Sequence, residues 1–98
     1  NDMSTSSIVR KHFFFKGRVQ GVGFRYRAHN AASMYGVTGW VKNLYDGSVE
    51  MEAQGKEEDI DKMIETIQNS RYIVIDEMYV ADRQINEHDS SFIIKDEY

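Results

Sequence analysis

The sequence predicts a single α+β domain, an antiparallel sheet with two helices on one face. Three observations predict it. Two segments place apolar residues at helical spacing. Five segments are rich in β-branched and aromatic residues or alternate apolar with polar. Their order is β-α-β-β-α-β with one short strand added at the C-terminal end. A chain of 98 residues fits one small domain, and an apolar fraction of 41% is enough for one thin core.

Residues 1–7, "NDMSTSS", are polar and read as a flexible leader, with the domain proper expected over 8–98. "VRKHFFFKGRV" is the first strand. In "FRYRAHNAASMYG", Phe24, Ala28, Ala31, Ala32 and Tyr35 fall at i, i+4, i+7, i+8 and i+11, one helical stripe, and Gly36 stands where a left-handed helix stop belongs. "VTGWVKN" is the second strand, and Asp46-Gly47 signals a hairpin after it. In the returning strand, "SVEMEAQG", Val49, Met51 and Ala53 share one face. Glu50, Glu52 and Gln54 share the other, which implies a sheet with one wet face. "KEEDIDKMIETIQNS" is the second helix, with Ile60, Met63, Ile64 and Ile67 as its buried stripe and three acids in its first turn. "YIVIDEMYVADRQI" and "SFIIKDE" complete the sheet as fourth and fifth strands. This order is the ferredoxin-like, split βαβ pattern, which hosts many activities and decides none of them.

Composition narrows the function classes. A net charge of −4 argues against a general nucleic-acid binder, which must neutralise many phosphates. The absence of cysteine excludes disulfides, thiolate metal sites and a cysteine nucleophile, and fits a reducing, cytoplasmic setting. The sequence has no run of 18 apolar residues, so no membrane span is expected. His12, His29 and His88 are scattered without metal-binding spacing. Phe13–Phe15 and Trp40 read as core.

The stretch "GRVQGVGFRYR" holds three glycines and three arginines in eleven residues of an acidic chain. It joins the first strand to the first helix. Gly21 and Gly23 allow backbone angles that turn successive amides toward one spot, an anion-binding nest, and the helix start adds its own donors there. Arg25 and Arg27 place positive charge in a helix's first turn, against the dipole, whereas the second helix obeys the rule. A bound dianion would compensate, and Arg25 could fork onto two of its oxygens. The spacing also fits a plain tight turn. It is neither a dinucleotide fingerprint nor a P-loop. Asn43, on spacing alone, reads as a turn former beside Asp46-Gly47.

"GRVQGVGFR", followed by "GWVKN" and "DGSVEMEAQG", closely resembles the acylphosphatase family, small enzymes that hydrolyse the carboxyl-phosphate bond. The resemblance is strong over residues 13–67 and looser beyond. The family's Gly-Pro-rich turn before the fourth strand is replaced by "NSRYIVIDEMYV". The resemblance implies that Arg18, Val19, Gln20, Gly21, Val22, Gly23, Phe24 and Arg25 cradle phosphate. It implies Arg25 as the phosphate-binding arginine and Asn43 as the residue that positions water. No metal or other cofactor is expected. The partners expected are a small acyl phosphate and inorganic phosphate as product and inhibitor, with no nucleic acid, no membrane, and a monomeric enzyme. The rival readings are a noncatalytic anion-binding module and an RNA-binding ferredoxin-like module. Against the latter, the third strand carries Glu50 and Glu52 where RNA would lie.

Overall fold

A computed structural model describes residues 7–95, so residues 1–6 of the leader expected over 1–7, and the last three residues, lie outside it. The elements are β1 (Ile8–Arg18), α1 (Phe24–Tyr35), β2 (Thr38–Asn43), β3 (Val49–Lys56), α2 (Glu57–Gln68), β4 (Val74–Arg83) and β5 (Phe92–Lys95). They form one sheet in the order β4-β1-β3-β2-β5. The expected ferredoxin-like fold is present, and α1 ends at Gly36 in the left-handed conformation.

One expectation is corrected. The first four strands pair antiparallel, but β5 runs parallel to β2, with Gly39 opposite Phe92, so the sheet is mixed. The reason is the end at which β4 leaves the sheet. Arg83 pairs with Arg10, Arg10 with Gln54, and Gln54 with Thr38, so β4 finishes where β2 begins. Residues 84–91 cross that end and re-enter there, which fixes the direction of β5.

Both helices pack on the face formed by Phe13, Phe15, Val41, Val49, Met51 and Ala53. The predicted stripes are the buried ones: Phe24, Ala28, Ala31 and Ala32 of α1, and Ile60, Met63, Ile64 and Ile67 of α2. The alanines leave little bulk beneath α1, so its backbone can lie close to the sheet. Arg27 Nε donates to the Thr66 carbonyl at 2.8 Å, and the Tyr35 and Thr66 hydroxyls lie 3.2 Å apart. Thr66 is in the last turn of α2, whose carbonyls lack intrahelical donors, so Arg27 is compensated by the negative end of a neighbouring helix.

The opposite face is not simply wet. Arg10, His12 and Gln54 are buried there. Arg10 Nε donates to Glu52 at 2.6 Å, and its Nη1 donates to Asp89 at 2.7 Å and to Gln54 at 3.1 Å. Gln54 in turn donates to the Asn86 carbonyl and accepts from the Asn86 amide. These bonds hold residues 84–91 over one end of the sheet. His12 Nε2 hydrogen-bonds Glu50 at 2.7 Å. Phe14 and Trp40 belong to this face rather than to the core. Lys95 Nζ lies 4.2 Å from the Trp40 ring centroid, and the His12 ring packs edge-on against Phe14. A strict two-residue alternation sends Phe14 away from Phe13 and Phe15.

Replacing Arg10 by alanine leaves Glu52 and Asp89 without their shared cation. Urea denaturation should show Arg10→Ala less stable by about 2 kcal/mol or more. Lys11→Ala breaks a pair whose acid, Glu57, is 62% exposed, and should stay within about 0.5 kcal/mol of the parent. Equal losses would mean that the Arg10 network contributes no more than a surface pair.

Candidate active site

The chain leaves β1 at Arg18 and turns through residues 19–23 into α1. Val19 is 1% exposed and pins the loop's start in the core. Gly21 and Gly23 have φ of 72° and 82°, angles that disfavour any residue with a side chain. A Cβ at either would meet nothing within 4 Å, so backbone conformation, and not crowding, is what calls for glycine here. Gly23 is the N-cap and has no side chain with which to cap the helix. The first i→i−4 bond is made by the Arg27 amide to the Gly23 carbonyl at 3.0 Å. The amides ahead of it face out of the helix end. No acidic residue stands in this first turn, while α2 has Glu57, Glu58 and Asp59 in its own.

In front of this helix end is a cavity of about 200 Å³ lined by Val19, Gly21, Gly23, Phe24, Arg25, Tyr26 and Asn43. It brings together residues from the loop, from α1 and from the end of β2. Six of the residues expected at the site therefore converge: Val19, Gly21, Gly23, Phe24, Arg25 and Asn43. Arg18, Gln20 and Val22 do not line the cavity. Arg18 is exposed at the end of β1, opposite Val74 in register. Tyr26 is an addition; it follows Arg25 in the first turn, and nothing in its spacing marks it. A larger hollow of about 500 Å³ between α2 and β4 includes none of these residues. Among the described residues, no three His, Cys, Asp or Glu side chains are grouped as metal ligands. No helix among them is long and apolar enough to cross a membrane.

Asn43 is half-buried and pairs with Val49 of β3. The turn that follows is held by its own side chains. The Asp46 carboxylate accepts from the Ser48 hydroxyl and from the Ser48 amide at 3.0 Å, while the Leu44 amide donates to the Ser48 carbonyl at 2.9 Å. The chemistry available in the cavity is anion binding by main-chain amides and one guanidinium. Beside them stands a neutral amide able both to donate to and to accept from a water molecule.

The acylphosphatase family profile matches residues 11–94. An acylphosphatase of Geobacillus thermodenitrificans is 41% identical over 88 residues, covering 89% of this chain and 94% of that protein. The crystal structure of acylphosphatase from Bacillus subtilis superposes with a TM-score of 0.81 at 34% identity, over 89% of this chain and 98% of that one. An acylphosphatase from Coxiella burnetii also reaches 0.81, at 27% identity, over 95% of this chain and all of its own.

The two Ser48 hydrogen bonds hold the Asp46 carboxyl below its ordinary range. Their contribution is complete above the usual carboxylate value of about 4 and is lost as pH falls through the lower folded-state value. Thermal unfolding followed from neutral pH downward should therefore show a shallower acid limb in Asp46→Asn than in the parent. Superimposable limbs would show that the turn does not rely on this charge.

Proposed function

The chain belongs to the acylphosphatase family, whose reaction is hydrolysis of acyl phosphates, and within that reaction we propose a division of labour among its residues. The loop of residues 18–24 holds the phosphoryl group by its amides. Arg25 forks onto two phosphoryl oxygens. Asn43 aims the attacking water in line with phosphorus. The single observation that carries this reading is the shared cavity, which two glycines in the left-handed region, Arg25 and Asn43 all line.

The reaction makes modest demands. Water oxygen bonds to phosphorus as the bond from phosphorus to the carboxyl oxygen breaks, and the electron pair leaves with the carboxylate. A carboxylate is a weak base, so it departs without strong acid assistance. What remains is to position the water and to stabilise charge on the equatorial oxygens. Fixed amides and a guanidinium supply that stabilisation with little reorganisation. Asn43 cannot take a proton at neutral pH, so the water's proton passes to a phosphoryl oxygen of the substrate itself. Products are a carboxylate and inorganic phosphate. On this scheme no metal enters, and phosphate competes with substrate for the same amides. The substrate class is small acyl phosphates of the acetyl, carbamoyl or 1,3-bisphosphoglycerate type. We place the enzyme in a reducing compartment such as the cytoplasm, with which a cysteine-free sequence is compatible, and take it to act as a monomer.

The fall in ultraviolet absorbance of benzoyl phosphate measures turnover directly. Turnover should persist in chelator, and inorganic phosphate should inhibit competitively. Arg25→Gln should lower kcat/KM by about 10²–10³ and weaken phosphate inhibition in parallel. Asn43→Ala should lower kcat on the order of 10² while leaving phosphate inhibition within about threefold of the parent. Full turnover in Asn43→Ala would remove the role given to it.

A further inference from the structure

The side chain of Gln20 is turned away from the cavity that its neighbours line. Its Nε2 donates to the Leu44 carbonyl at 2.7 Å and to the Ser48 carbonyl at 2.8 Å. Both protons of one amide are thus spent on the β2–β3 turn. The two carbonyls stand at its two feet: Leu44 follows Asn43, and Ser48 precedes Val49, the register partner of Asn43. The Ser48 carbonyl also accepts the Leu44 amide, so the second bond from Gln20 joins the pair that closes the turn.

We propose that Gln20 is a positioning residue that locks the phosphate loop to the hairpin carrying Asn43. This rests on the reading of Asn43 as the group that aims water. The phosphate loop follows β1 and Asn43 ends β2, and β3 separates those two strands in the sheet. In-line attack requires phosphorus, held by one element, and water, held by another, to keep a near-fixed separation. Val19 fixes the loop to the core on one side of Gln20, and the Gln20 amide fixes the turn on the other. The chemistry suits glutamine in particular. Two carbonyl acceptors call for two donors on one planar group. A carboxylate would set negative charge against two carbonyl oxygens, and a methionine would fill the space with no donor at all.

The experiment uses Gln20→Met and Gln20→Glu, each alone and combined with Asn43→Ala. It measures benzoyl phosphate turnover, inhibition by inorganic phosphate, and amide hydrogen exchange. Expected for both single variants, each of which loses both bonds to the turn, is a kcat about tenfold lower, with phosphate inhibition within about threefold. In the Asn43→Ala background the same substitutions should change kcat less than about twofold, because the group they position is gone. Exchange at the Leu44 amide should quicken by about tenfold relative to the amides of β1. Proportional losses in both backgrounds would overturn the proposal. So would phosphate inhibition weakening in step with kcat, or wild-type turnover in either variant that folds. If Asn43→Ala alone keeps full turnover, the water-aiming reading fails, and Leu44 exchange then decides the lock by itself: faster exchange sustains it, and an unchanged rate overturns it.

Discussion

Both halves of the site depend on the strand between them. β3 pairs antiparallel with β1 on one side and with β2 on the other, which forces β1 and β2 to run parallel. Val49 is the register partner of both Phe15 and Asn43. The end of β1, where the glycine-rich loop departs, and the end of β2, where Asn43 sits, are thereby brought to the same end of the sheet. Neither half has a cavity without the other. A one-residue slip of β3 against either neighbour would turn every core side chain of the slipped strand to the opposite face. Because Val49, Met51 and Ala53 are fully buried, that slip is opposed by the whole core.

The two arginines that break the helix-dipole rule in α1 find different answers. Arg27 reaches the last turn of α2, where a carbonyl at a helix C-terminus accepts it. Its positive charge is satisfied inside the fold, and it contributes to the packing of the two helices. Arg25 instead lines the cavity at the start of α1. Placing a cation at the positive end of a helix is unfavourable by itself. In the division of labour proposed above, that guanidinium and the amides of the same helix end act on one phosphoryl charge.

The face of the sheet away from the helices serves stability by another route. Arg10, Glu52, Gln54 and Asp89 form a nearly dry polar network that ties residues 84–91 across the strands. That tie returns the chain to the far edge of the sheet, where β5 extends it beside β2. The strand bearing Asn43 is therefore internal and not an edge, which limits its fraying. Charged groups on this face thus support the element that carries the site without touching the cavity.

Much of this was legible in the sequence because burial leaves a local periodic mark. The stripes of α1 and α2, the alternation in β3, the Asp46-Gly47 turn and the glycines of the loop are each written within a dozen residues, and the element order followed from them. Arg25 and Asn43 stood out through their motifs, and the cavity contains both. The rest required contacts between residues far apart along the chain. Trp40 and Phe14 read as core, since hydrophobicity reports a wish to leave water but not which side of a sheet provides the shelter. Glu52 read as solvated, because its partner Arg10 lies 42 positions away. The direction of β5 depended on the end at which β4 leaves the sheet. Gln20 looked like one more loop residue until the hairpin's carbonyls were brought beneath its amide. Periodicity determines which face of an element is buried; only the folded arrangement decides what lies against it.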